Sequence, residues 1–214
     1  KKFRFKKHQE DLHLILLIIL ISLIFYFFII PTESFFSVIL AVTSSIATSG
    51  ISIYSSNFDI SLFFILLTIV GGSLMSTSSG FKYVRFYILL KISYQEICKL
   101  VKPINVYNKN LFNTETKIED DESKIAFLAF ILFIASFFVL SSVLTLDDLT
   151  FESSVKLSIL TLTNTTSSFL YGLDNLSFFE LEFLTKFLLV IFMILGRIEI
   201  ITLLFLTRKF IFKE

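Results

Sequence analysis

Residues 70–85 read VGGSLMSTSSGFKYVR, a run of glycine and hydroxyl side chains closed by a lysine, set inside an apolar stretch covering residues 58–90. Coiled as a single helix, that stretch would be roughly 50 Å long at about 1.5 Å per residue, against a bilayer hydrocarbon core of about 30 Å. One straight span does not accommodate it. Lipid does not accommodate it either, because hydroxyls, freed backbone groups and an ammonium each cost several kcal/mol in hydrocarbon unless protein or water satisfies them. The break is therefore expected to face a wet interior path that the rest of the chain builds.

Composition supports a bilayer setting. The 214 residues are 55% hydrophobic, and the mean hydropathy is +0.82, more apolar than one soluble core requires. Net charge is only +1, but its distribution is informative. Lys1, Lys2, Arg4, Lys6 and Lys7 precede the first apolar run; Lys99, Lys102, Lys109, Lys117 and Lys124 lie in or beside the one long polar stretch; Arg208, Lys209 and Lys213 close the chain. Short loops rich in Lys and Arg stay in the cytoplasm, so both ends and the central linker are expected inside. Glu33, Asp59, Asp147, Asp148, Glu152 and Asp174 then fall on the outer side, where acids concentrate cations.

In chain order, residues 13–30 are long enough to cross outward, and Pro31 ends them. Residues 33–47 are apolar but short and run into VTSSIATSGIS, which fits a re-entrant helix dipping from outside. Its C-terminal end would stop at mid-membrane with the dipole negative, so carbonyls and hydroxyls of Ala47, Thr48, Ser49 and Gly50 are expected to point at a cation. Residues 58–91 return inward through the broken stretch. Residues 92–122 form a cytoplasmic linker, read either as a solvated connector or as a docking surface.

The second half repeats the plan. Residues 125–146 cross outward, 151–163 dip, LTNTTSSFLYG forms the polar end, and 179–212 return with Gly196, Arg197 and Glu199 near the centre. When Gly50 is aligned with Thr166, the next intramembrane cations, Lys82 and Arg197, follow at nearly equal separations. Span, dip, span used twice is an all-α, pore-loop plan with a first unit at 1–91, a linker at 92–122 and a second unit at 123–214.

Each feature has a plainer reading. An isolated Ser/Thr cluster more often mediates helix packing, but two clusters, each between a short dip and a span with an intramembrane cation, favour a polar path. Lys82 either snorkels to the inner surface with Arg85 and Lys91 or faces the path. Arg197 is flanked by apolar residues on both sides and would act there as a barrier to cations. Cys98 is the single cysteine, and His8 and His13 lack partners at metal-ligand spacing. No phosphate-binding loop, nucleophile elbow or zinc-protease pair is present, and the positive charges sit at membrane edges, so neither an enzyme nor a nucleic-acid binder is expected.

These motifs resemble the membrane subunit of the Trk/Ktr/HKT potassium transporters. SSIATSGIS is similar to that family's Ser/Thr-rich filter ending in glycine, and GGSLMSTSSGFK from Gly71 to Lys82 resembles its intramembrane loop, GG-x-x-G-S-T-x-G-G-x-K. MILGRIE from Met193 to Glu199 resembles the Met-Leu-Leu-Gly-Arg-Leu-Glu motif of its last repeat. The resemblance implies uptake of potassium, the substrate ion, across the plasma (inner) membrane, with no cofactor in this chain. It assigns ion contacts to Ala47, Thr48, Ser49, Gly50, Asn164, Thr165 and Thr166. It places a gate at Gly71, Gly72, Ser76, Thr77, Ser78, Ser79, Gly80 and Lys82, with Arg197 closing the path electrostatically. It implies that this chain is the third and fourth of four repeats, that two further repeats precede Lys1, and that the protein forms a homodimer with a cytosolic nucleotide-binding regulatory subunit. Two departures are specific: Asn164, Thr165, Thr166 and Ser167 stand where the family has Asn-x-Gly-Pro, and Met75 and Ser79 replace loop glycines. The first leaves a sodium-selective relative, or a non-conducting scaffold or regulatory subunit with a decayed filter, as the alternatives.

Overall fold

The computed structural model describes residues 9–29, 34–51, 60–73, 76–101, 110–112, 118, 120–147, 149–165, 169–173 and 181–198. These residues are helical, with no β-strand among them. The α-helices are α1 (Gln9–Ile24), α2 (Phe35–Ile46), α3 (Ser61–Val70), α4 (Tyr83–Val101), α5 (Asp120–Leu146), α6 (Phe151–Leu162) and α7 (Phe183–Ile198). A π-helical turn, Phe25–Ile29, extends α1, and a 3₁₀ turn, Phe169–Tyr171, follows α6.

Two of these elements are long and apolar enough to cross a bilayer: α1 with its extension, Gln9–Phe28, and α5, at 27 residues. Their apolar side chains face outward rather than into the protein, including Leu16, Leu20 and Phe28 on α1 and Phe127, Leu128 and Phe138 on α5. A soluble protein does not carry so continuous an exposed apolar surface, whereas lipid solvates it at no cost.

The two halves have one plan. In the first, α1 packs on α2 and α2 on α3; in the second, α5 packs on α6 and α6 on α7. Contacts of α3 with α6 and with the 3₁₀ turn join the halves. Their shared core contains Phe25, Val42, Phe64, Leu140, Leu157 and Leu160. The short helices α2 and α6 are both 12 residues, and a constant offset of 116 relates them at both ends, 35 to 151 and 46 to 162. Their caps keep that offset. Ser34 Oγ accepts from the Ser37 amide at 3.2 Å and Thr150 Oγ1 from the Ser153 amide at 3.3 Å, each satisfying a first-turn donor. At about 1.5 Å per residue each helix is roughly 18 Å long, short of a bilayer core of about 30 Å.

The inner side differs from a simple loop. α4 runs uninterrupted past Lys91 to Val101, ten residues into the polar stretch. Phe112 is 3% exposed and stacks on Tyr87 at 4.3 Å and His13 at 5.2 Å between ring centroids. Lys91 donates to the Asn110 carbonyl, and Ile118 is buried in the same cluster. These described residues of the linker are packed against α4 and α1, not solvated. The expected basic tail, Pro31, Glu33, Asp59, Pro103, Asp148, Asp174 and residues 199–214 lie outside the described residues.

One hydrogen bond joins the halves beside the short helices, between Ser45 Oγ and the hydroxyl of the fully buried Tyr171, at 3.3 Å. Ser45 also donates to the Ala41 carbonyl, so it keeps a partner if the phenol is removed. Tyr171→Phe is expected to cost about 1 kcal/mol, or roughly 2–4 °C in a detergent-solubilised melting curve, whereas Tyr171→Ala opens a cavity and costs about 3–5 kcal/mol.

Candidate functional site

Both short helices end in the same backbone device. At α2 the Thr48 amide donates to Ser45 O at 3.1 Å and the Ser49 amide to Ser44 O at 3.0 Å. At α6 the Asn164 amide donates to Thr161 O at 3.1 Å and the Thr165 amide to Leu160 O at 2.9 Å. This is the Schellman pairing, which needs a left-handed residue just beyond the cap, and Thr48 (φ 54°) and Asn164 (φ 52°) occupy it. Side chains repeat the match. Ser45 Oγ donates to Ala41 O at 2.9 Å and Thr161 Oγ1 to Leu157 O at 2.7 Å, again 116 residues apart. The left-handed residue is a threonine at one turn and an asparagine at the other; asparagine tolerates that region and a β-branched threonine less so.

The residues expected at the first turn are brought together. Ala47 caps α2 and is exposed, Thr48 is half-buried, Ser49 is exposed, and Gly50 is buried with φ 69°. Ser49 Oγ donates to Ser44 Oγ at 3.0 Å. At the second turn Asn164 is half-buried and Thr165 buried, with Thr165 Oγ1 and Thr163 Oγ1 2.9 Å apart. Thr166 lies outside the described residues, as do Leu74, Met75, Ser167 and Glu199.

The broken stretch forms a closed loop between α3 and α4. The Phe81 amide donates to Ile69 O at 2.8 Å and the Tyr83 amide to Gly72 O at 3.1 Å, so the chain leaves α3 and returns to its end. Gly71 (φ 64°) and Gly80 (φ 89°) make that return possible: a Cβ on Gly71 would lie 2.8 Å from Ser79 O, and one on Gly80 2.7 Å from Thr68 O. Inside the loop, Ser78 Oγ accepts from the Gly72 amide at 2.9 Å and Ser76 Oγ from the Ser78 amide at 3.1 Å. Lys82 does not snorkel. Its ammonium is buried and donates to the carbonyls of Ser76 and Ser78, both at 2.7 Å, so one charge answers carbonyls the break has released. Ser76 and Thr77 are exposed at the tip, Ser79 is buried. The Ser79 amide donates to Thr48 Oγ1 at 3.2 Å, a direct contact between the loop and the first turn.

At the second turn, an unbroken helix replaces the loop. α7 seats against α6, where Asn164 Nδ2 donates to the Met193 carbonyl at 2.6 Å. A Cβ on Gly196 would fall far inside contact distance of the Leu162 carbonyl oxygen, so only glycine lets α7 lie this close to the end of α6. Arg197, the next residue, is exposed.

One charged residue was not singled out from the sequence. Lys156, on α6, is 3% exposed and pairs with Glu152 at 2.6 Å, one helical turn nearer the outer end. The i,i+4 spacing of a glutamate before a lysine was the available signal. Phe112 was also missed, although the pair Leu111 and Phe112 interrupts an otherwise polar stretch.

No protein-family model and no curated protein sequence matches the chain. The crystal structure of the potassium transporter TrkH from Vibrio parahaemolyticus matches with a TM-score of 0.77 at 21% identity, over 94% of this chain and 43% of that one. This chain has the TrkH fold. It spans less than half the length of TrkH, so the likeness is to part of a larger protein. The TrkH fold and the outward-facing apolar spans make the chain a membrane protein.

Gly196→Ala is expected to unseat α7 from α6. The overlap is with backbone, which cannot rotate away, so the cost is at least about 1–3 kcal/mol. Loss of the monodisperse peak in size-exclusion chromatography of the detergent-solubilised variant checks this, with Met193→Leu as the control that keeps the carbonyl.

Proposed function

We propose that this chain supplies two pore-loop repeats of a pathway that takes up potassium across the plasma membrane. The observation that carries the reading is the pair of short helices, each stopped by a Schellman turn, with an intramembrane loop bonded to one of them through Ser79 and Thr48. A helix of about 18 Å that ends within a bilayer presents its negative end and hydroxyl-bearing turn to a hydrated cation rather than to lipid.

In this reading Ala47, Thr48, Ser49 and Gly50 contact the ion from one side, and Asn164, Thr165 and Thr166 from another. The loop from Gly71 to Gly80, clasped by Lys82, is the gate on the inner side of the filter. Exposed Arg197 opposes a cation that passes α7. The potassium transport named for TrkH, the further repeats that would complete the ring, a homodimer, a nucleotide-binding regulatory ring and cytoplasmic termini belong to the same proposal. Potassium is the substrate, and no enzymatic step is assigned. The specific observation favouring a second reading, a scaffold of the same fold, is that both turns place a non-glycine residue in the left-handed position.

Potassium uptake by a host lacking its own uptake systems, expressing the protein at its natural full length, tests the proposal. Conduction predicts rescue of growth at low potassium; protein present in the membrane without flux sinks it. Thr166→Gly is then expected to change the potassium-to-sodium flux ratio in a conducting protein and to leave a scaffold silent. Lys82→Met removes both clasping bonds, each worth about 1.5–3 kcal/mol for a charged donor, and is expected to raise resting flux severalfold; reduced flux at equal expression would contradict a gating role.

A further inference from the structure

The constant offset between α2 and α6 gives an internal control on which residues the fold needs. Position by position, Lys156 of α6 corresponds to Leu40 of α2, and Glu152 to Phe36. Leu40 is half-buried and Phe36 is 83% exposed, so one repeat builds this helix, its cap and its Schellman turn with two apolar residues. The other carries a buried ion pair at the same places. A buried ammonium is costly to desolvate, and replacing such a pair by apolar residues is often neutral or stabilising. Stability therefore gives no reason for the pair.

Its location gives one. Lys156 lies seven residues before Thr163, about 10 Å along the helix from the second turn. Its Nζ sits 3.1 Å from where a Cβ on Gly172 would be, and that glycine follows the 3₁₀ turn leading out of the second turn. The Ser61 side chain of α3 lines the same spot. The charge is thus held behind the wall of the outer part of the path, while the Glu152 side chain is 67% exposed towards the outer end of α6. A charge this close in a poorly screened setting acts on any cation in the path.

We propose that Lys156, held by Glu152 behind the segment leaving the second turn, sets cation occupancy of the outer pathway according to valence. This deepens the conduction reading and rests on it. The ammonium opposes the negative end of α6, and its effect on an ion scales with that ion's charge. A divalent cation meets twice the repulsion of potassium, so the pair keeps the outer site open to monovalent ions in an acidic mouth that would otherwise favour divalent ones. Glu152 holds the ammonium in place and limits its reach.

The test uses full-length protein and two probes, potassium and barium. Half-saturation for potassium uptake and half-block by barium are measured together, and potassium binding is followed separately as thermal stabilisation in detergent. Lys156→Met is expected to lower potassium half-saturation roughly threefold to tenfold and barium half-block by roughly the square of that factor. Glu152→Gln is expected to raise both. The double variant Lys156→Leu with Glu152→Phe, which copies the sister repeat, is expected to return potassium half-saturation to within about twofold of the starting protein. Shifts in one direction for both single variants, or equal factors for the two ions, would overturn the proposal, since a merely structural role lowers the amount of folded protein without sorting ions by charge. If Lys156→Met is not recovered folded, Glu152→Gln, at an exposed position, carries the same comparison. A starting protein that binds and transports potassium while the variants keep its affinities overturns this inference alone. One that neither transports nor is stabilised by potassium overturns the conduction reading beneath it.

Discussion

A helix that stops inside a bilayer leaves carbonyls with no water to bond, and the structure depends on how that deficit is met. At the ends of α2 and α6 the chain turns through a left-handed residue, and the next two amides cap carbonyls of the last turn. This closure lets two helices of 12 residues end where lipid alone would forbid an end. It also puts a short hydroxyl-rich segment beyond each helix. Structural necessity and the polar lining thus come from the same few residues.

The intramembrane loop is a second answer to the same deficit, and it uses charge. When α3 breaks at Gly71, the freed backbone is met by serine hydroxyls, by the returning strand of the loop and by the Lys82 ammonium. The clasp is bistable in principle, because a lysine that releases two carbonyls must find other partners while the loop tip at Ser76 and Thr77 is already exposed. Since the Ser79 amide also bonds Thr48, loop rearrangement and first-turn geometry are coupled through a single hydrogen bond. At the other end, α4 carries Lys91 and Tyr87 onto the packed linker residues Asn110 and Phe112, so the loop sits between a turn at one end and the inner surface at the other.

Much of this was legible in the sequence because the bilayer imposes a length test that apolar runs either pass or fail. The dips at 33–47 and 151–163 failed it and emerged as α2 and α6, and aligning Gly50 with Thr166 set the offset of 116 that the caps and turns obey. What was hidden depends on direction rather than length. Lys82 could be read towards the inner surface or towards the path, and only the chain's return to Ile69 decides where its ammonium finds carbonyls. Lys156 was passed over inside an apolar pattern because hydropathy averages a single buried charge away. Phe112 was lost in a polar stretch for the converse reason, since one ring stacked on Tyr87 has no periodic signature.

The two repeats, read against each other, separate what the architecture demands from what it permits. Caps, helix lengths, hydroxyl back-bonds and Schellman turns recur at one offset, so they belong to the scaffold. The differences fall around the path: a broken return with a lysine clasp in one half, an unbroken helix seated by Gly196 in the other, and an ion pair on α6 where α2 is apolar. A ring built from equivalent units would treat an ion alike from every side. Here the unit that carries the flexible loop lacks the buried charge, and the unit that carries the buried charge has its return helix locked by glycine contact against the pore helix. Mobility and fixed electrostatics are thereby assigned to different halves of one chain, which allows the loop to move without displacing the charge that an ion meets first.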